Sequence, residues 1–337
     1  GNAACEPGET TASCAEDCGD GEPWIPPIPQ SVKRNVDILF VIDNSGSMAG
    51  EQQLLRDGFE AMMTRLKGMA GGLPNIHLGV TTTDLGTGMF SIPYCENPLG
   101  DAGNLVTGFC ANPTGAPYIV DVEPKNCEIV KTVDATCVSH DCSQASCSGE
   151  PTTMFVVDSE QGCPRCRNYI GETLEETFGC IADLGTLGCG FEQPLEAMYK
   201  ALDTSNTANV GFVRENALLA VILVTDEDDC SASNPQLFDN TQTTIDSTLG
   251  PLTSFRCFEF GIQCDVNDRL HQGVRRNCIP RDDEQALLMP ISRYTDYLRA
   301  LKDPQLITVS AIGPQEGSAI VELAERVAGT AKQTVGD

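Results

Sequence analysis

Residues 36–48 read VDILFVIDNSGSM, and no other stretch constrains the fold of this chain as tightly. The apolar run from Ile38 to Ile42 ends in Asp43, and Ser45 and Ser47 follow at alternate positions. A continuous apolar run bounded by turn residues is the pattern of a strand buried on both faces, as in a parallel sheet. Its carboxyl end carries one carboxylate and two hydroxyls, the hard oxygen donors that Mg²⁺ prefers. Open α/β sheets also place their ligands at the carboxyl ends of parallel strands. Gly46 is expected to let the backbone turn tightly, so that both serines face one site. The plainer reading of the same residues is a strand followed by an Asn/Ser/Gly turn.

A second segment repeats the design. Residues 217–229, ALLAVILVTDEDD, form an apolar run that ends in carboxylates, with Asp226 in the position matching Asp43. The two segments together resemble the von Willebrand factor type A domain, the fold shared with integrin inserted domains, in which a DxSxS motif and a later acidic loop form a metal-ion-dependent adhesion site. The resemblance covers most of residues 36–335. It implies an α/β fold: a doubly wound, mostly parallel sheet flanked by helices, Rossmann-like in plan. It further implies that Ser45 and Ser47 bind a divalent cation directly, and that Asp43 and Asp226 bind it directly or through water. Mg²⁺ is the first expectation, with Ca²⁺ and Mn²⁺ as alternatives. One coordination position would stay open for an acidic group of a partner, whose carboxylate completes charge and geometry together. The family's usual Thr ligand has no clear counterpart. In GTLGCGFEQPLEAM (185–198) its position falls on Cys189 or Gly190, and Glu192 is the best substitute donor, with Thr186 a weaker one. Glu192 can also be read as a charge that simply favours the start of a helix.

At 337 residues the chain can bury a full core, which fits one large domain with accessories. A net charge of −27 repels a phosphate backbone and argues against a nucleic-acid partner. Seventeen cysteines point to an oxidising compartment and disulfides. Three lie in the first eighteen residues, ten from Cys95 to Cys189 and four from Cys230 to Cys278, so the two inner groups can each close on themselves. The longest apolar run, 217–224, falls well short of the roughly 20 residues that span a bilayer. With no initiator Met and no signal peptide, the chain reads as a processed or trimmed product.

Residues 1–20 resemble short EPGE/DCG cysteine-rich repeats of exported bacterial proteins, with an unpaired thiol expected among Cys5, Cys14 and Cys18. A cysteine ahead of the first Gly would suit a lipid anchor. Glu6, Glu9, Asp17 and Asp20 offer a Ca²⁺ site as the alternative to a plain disulfide knot. Residues 21–35 read as a Pro-rich linker, and 36–337 as the domain, with cysteine-rich insertions at about 85–153 and 227–289. Leu55, Phe59, Met62, Leu66 and Met69 mark one buried helix face over 51–70. Further strands are predicted at 76–84, 154–157 and 306–312. Helices are predicted at 172–184, 193–203, 290–302 and 318–328. Both insertions are expected to rise from the metal face, because they leave the carboxyl edge of the sheet, and long loops in compact domains are usually functional.

Competing chemistry is weaker. Cys163 and Cys166 have CxxC spacing, and with Cys137, His140, Cys142 and Cys147 they offer a zinc or thiol-redox cluster. A loop among many cysteines favours bridges instead. His77 reads as a structural residue. No Ser/His/Asp order, Gly-x-Ser-x-Gly or phosphate loop occurs, so the sequence gives no support to an enzyme. The expectation is an exported, bacterial, cell-surface or secreted binding module. It would capture a protein or surface ligand with an exposed carboxylate through the cation. A structural subunit of a surface assembly such as a pilus, with the metal only stabilising, is the alternative.

Overall fold

The computed structural model describes residues 34–313, apart from 70, 133–134 and 152, together with the backbone of 319–323 and 331–335. The motif expected at 1–20, and the linker as far as residue 33, lie outside the described residues. In chain order the strands are β1 (Asn35–Ile42), β2 (Asn75–Thr82), β3 (Ile119–Val122), β4 (Glu128–Lys131), β5 (Cys137–Asp141), β6 (Met154–Val157), β7 (Pro164–Arg167), β8 (Leu218–Val224), β9 (Ile262–Gln263), β10 (Gly273–Val274), β11 (Ile279–Pro280), β12 (Ile307–Ile312), β13 (Ala319–Leu323) and β14 (Ala331–Val335). The α-helices are α1 (Ala49–Lys67), α2 (Leu174–Ile181), α3 (Pro194–Leu202), α4 (Phe255–Gly261) and α5 (Ile291–Leu301).

Seven strands form the central sheet in the order β12-β8-β1-β2-β3-β7-β6. The run from β12 to β2 is parallel throughout, and β3, β7 and β6 continue it by antiparallel pairing. Alternation along β1 decides the two layers, since successive side chains point to opposite faces. Ile38, Phe40 and Ile42 pack with Phe59 and Met63 of α1 and Leu174, Phe178 and Ile181 of α2. Leu39 and Val41 pack on the other face with Met198 and Leu202 of α3 and Tyr294 of α5. The chain is therefore a mixed α/β protein, with helices on both faces of a largely parallel sheet.

An aromatic stack anchors the first layer. The rings of Phe59 and Phe178 lie 3.7 Å apart between centroids, and Phe40 sits 4.8 Å from Phe178. Helix α2 starts at a capping box in which Thr173 Oγ1 accepts from the Glu176 amide, and the Glu176 carboxylate accepts from the Thr173 amide. Phe59 falls on the predicted face of α1, whereas Met69 lies beyond the helix end and is exposed.

Two predicted elements differ. The sheet neighbour of β2 is β3 at Ile119–Val122, inside the segment expected to be an insertion, while Met154–Val157 forms the outermost strand. The reason lies in Asp121, which hides a core strand behind a charged residue. Asp121 is fully buried but accepts from Arg165 Nε at 2.5 Å, Arg167 Nε at 2.9 Å and the Tyr169 hydroxyl at 2.5 Å. The helix expected at 318–328 is also corrected. Residues 319–323 are strand β13, which pairs antiparallel with β10 and β14.

Seven disulfides are formed among the described residues: Cys95–Cys189, Cys110–Cys180, Cys127–Cys142, Cys137–Cys163, Cys147–Cys166, Cys230–Cys257 and Cys264–Cys278. Each inner cysteine group closes within itself. Cys163 and Cys166 bond to separate partners, so the cysteines of the candidate zinc or redox cluster are engaged in bridges. No helix among the described residues is long and apolar enough to cross a membrane.

Proteolytic mapping without reduction is expected to return these seven pairs, and any Cys163–Cys166 linkage would contradict the fold. Phe178→Ala should cost about 3–5 kcal/mol, read by equilibrium denaturation with the disulfides intact; a loss under about 1 kcal/mol would mean that the aromatic stack is not a core contact.

Candidate metal centre

The parallel register of β1 and β8 pairs Ile42 with Val224, so the residues that follow both strands emerge side by side. The Asp43 amide donates to Val224 O at 2.9 Å, extending the pairing one step into the loops. Asp43 is fully buried and firmly held. Its Oδ1 accepts from the Ser45 amide at 2.7 Å, and its Oδ2 accepts from Thr225 Oγ1 at 2.8 Å. Gln52, on the first turn of α1, donates through Nε2 to the Asp43 and Gly185 carbonyls, each at 2.9 Å. The Ser45 and Ser47 hydroxyl oxygens lie 3.3 Å apart.

The loop of residues 185–193 closes the other side. The Gly188 amide donates to Asn44 O at 2.8 Å, and a Cβ on Gly188 would sit 2.1 Å from Asn44 Oδ1, so any larger residue there would have to displace the Asn44 side chain. Gly46 has no such need, contrary to expectation: its φ is ordinary and a Cβ there would meet open space. The Gln193 amide donates to Thr83 O at 3.1 Å, and the Cys230 amide donates to Glu192 O at 2.7 Å. These bonds tie the loop both to the end of β2 and to the acidic segment after β8.

Cys189 is bonded to Cys95 and Gly190 has no side chain, which leaves Glu192 as the carboxylate of this loop. Glu192 is fully buried, and the side chain within hydrogen-bonding reach of its carboxylate is another acid, Glu227. Asp226 Oδ1 is buried and unpartnered, as is Thr83 Oγ1 at the end of β2. Thr186 stands further out, beside Gly46 on the wall of a cleft.

The electrostatics are strained. Burial raises the Asp43 carboxyl above its usual range against the hydrogen bonds from Ser45 and Thr225, and the Asp226 charge adds to the rise. Burial pushes Glu192 far upward, followed by the charges of Glu227 and Asp43. Glu227 also rises, chiefly through burial, with Asp226, Asp43 and Asp228 adding to the shift. Ionised, Glu192 and Glu227 cannot donate to one another; they can share a hydrogen bond only while one of them keeps a proton. Among the described ion pairs none involves Asp43, Glu192, Asp226 or Glu227.

Buried carboxylates without cationic neighbours, together with orphaned oxygens, fit a hard divalent cation. No three His, Cys, Asp or Glu side chains among the described residues form a ready-made cage, so serine hydroxyls or water would have to complete the coordination. Asp43, Ser45, Ser47, Asp226 and Glu192 are the residues that would hold the ion. Thr225, Thr83 and Glu227 escaped the sequence reading, although Thr225 and Glu227 flank Asp226 directly. No protein-family model matches this chain, and no curated protein matches it significantly.

Without a cation, the folded protein holds a proton on Glu192 at pH values where the unfolded chain has released it. Stability is then fullest at acid pH and falls as pH rises above the ordinary glutamate range. In EDTA the unfolding free energy should therefore fall between about pH 5 and pH 8, with a limiting slope of roughly 1.4 kcal/mol per pH unit for each proton, and the thermal midpoint should fall with it. Glu192→Gln, which stays neutral, is expected to flatten that decline; an unchanged slope would place the proton on another group.

Proposed function

We propose that this chain is a divalent-cation-dependent binding module, built on the plan of a von Willebrand factor type A domain, that recognises an acidic group of a partner. What supports the reading most is one juxtaposition. Segments more than 180 residues apart in sequence bring Asp43 and Thr225 into a 2.8 Å hydrogen bond, with the orphaned Asp226 Oδ1 next along the chain. A cation held between Asp43, Ser45, Ser47 and Asp226 offsets the mutual repulsion of buried carboxylates. It supplies the positive charge that a partner's Asp or Glu side chain completes.

This chain's residues have distinct tasks in that scheme. Thr225 and the Ser45 amide occupy one lone pair on each oxygen of Asp43, which fixes the carboxylate plane. Gln52 pins the Asp43 main chain to the loop at Gly185, so that the rim keeps its shape when the cation leaves. Seven disulfides fit maturation in an oxidising compartment, in keeping with work outside the cell or at its surface.

Titration calorimetry with Mn²⁺ or Mg²⁺ should find one high-affinity site. Asp43→Ala is expected to abolish it, and Thr225→Val, which removes a hydrogen bond to the ligand, should weaken it by about 10–100-fold. Both variants should keep their disulfides and near-native circular dichroism. Normal divalent affinity in Asp43→Ala would refute the reading, whereas assembly that survives EDTA would favour the stabilising-metal alternative.

A further inference from the structure

A cleft of about 490 Å³ opens beside the oxygen-lined rim. Gly46, between the two serines, is part of its lining, as is Gly188, whose amide holds Asn44. The cleft therefore begins where the candidate cation site ends. Its walls come from three separate parts of the chain: residues 92–95, residues 186–191 and residues 252–254. The Cys95–Cys189 bridge ties the first wall to the second. Ile92 and Phe191 are buried in a small core that also contains Cys230 and Cys257, next to the third wall. Side chains locked in this way are preorganised, which reduces what binding costs in lost freedom.

The chemistry of the lining sets what it accepts. None of the lining residues is charged, in a chain whose net charge is −27 and beside a rim of buried carboxylates. Ile92, Phe191 and Leu252 give it an apolar body, and Leu187 stands at the mouth with 77 % of its surface exposed. Thr253, at the third wall, is part-buried and its Oγ1 is closed off from solvent. Gly46 and Gly190 leave space a larger side chain would fill, since a Cβ on either meets nothing within 4 Å. The volume lies within the roughly 300–1,000 Å³ of pockets that enclose drug-sized groups, more than one side chain needs.

We infer that this cleft reads the residue flanking the partner's carboxylate: the ligand is a protein segment whose Asp or Glu is followed or preceded by a bulky uncharged side chain. The inference rests on the cation-dependent reading above. The acid goes to the ion, since the cleft itself offers a carboxylate no positive charge. The neighbouring aromatic or aliphatic side chain goes between Ile92, Phe191 and Leu252, and burying it supplies the selectivity.

The test uses an array of immobilised hexapeptides, each with one fixed Asp or Glu and varied neighbours, probed with the full chain in Mg²⁺ and in EDTA. In Mg²⁺, peptides with Phe, Tyr, Trp or Leu beside the acid should be captured at least tenfold more than those with Gly, and EDTA should abolish capture. Ser254→Trp, at an exposed position whose side chain makes no capping bond, should fill the cleft and erase the preference. Its Mn²⁺ titration should match that of the wild type. Leu187→Ser, at the exposed mouth, should reduce the preference without risk to the fold. Mg²⁺-dependent capture with no flanking preference, or a preference that survives Ser254→Trp, would overturn the pocket and leave the cation reading standing. No Mg²⁺-dependent capture of any acidic peptide would overturn the pocket, and a failed Mn²⁺ titration alongside it would overturn both.

Discussion

The in-register parallel pairing of β1 with β8 is the constraint on which the rest of the molecule depends. It sets Ile42 beside Val224, carries the main-chain ladder on to Asp43, and so brings two acidic loops to one rim. A slip of one residue would exchange the faces of either strand and take Leu39 and Val41 out of their layer. The register is therefore enforced by both hydrophobic layers at once. The site inherits its geometry from the core, at the carboxyl edge where parallel sheets place their ligands.

Held that close, the carboxylates oppose the fold. Asp43 and Glu192 are fully buried, Asp226 and Glu227 are part-buried, each feels the charge of at least one of the others, and none has an ion-pair partner among the described residues. A retained proton relieves such burial, and in the proposed reading a cation would relieve it instead, so that the two would compete. The hydrogen bonds from Thr225 and the Ser45 amide hold Asp43 in position against that repulsion. Around this strained rim the disulfides build walls. Cys95–Cys189 fastens a loop to the 185–193 segment, and Cys230–Cys257 fastens the chain after Asp226 to α4. Each bridge contributes on the order of 2–4 kcal/mol by restricting the unfolded chain. Together they give the loops a small core of their own, which includes Ile92, Phe191 and Phe238.

Much of this was legible in the residues. The apolar runs of β1 and β8 identify buried parallel strands, and the carboxylates at their ends identify the rim. The 3.6-residue spacing of Leu55, Phe59, Met62 and Leu66 marks the inner face of α1. What stayed hidden has physical causes. Strand β3 is four residues long and contains Asp121, whose charge is satisfied by Arg165, Arg167 and Tyr169 from a distant segment. Residues 319–323 have apolar positions compatible with a helix, yet pair with β10 and β14. Glu192 was already the best substitute donor in the sequence, whereas the pairing of Cys189 with Cys95, 94 residues away, is something spacing alone could not supply.

The most direct test is a crystal structure of the chain grown with Mn²⁺ and recorded at a wavelength where manganese scatters anomalously. The expected result is a single strong anomalous peak within coordination distance of Ser45, Ser47 and Asp226, with Asp43 bound directly or through water. A map with no peak at that rim, or with manganese held only elsewhere, would contradict the account.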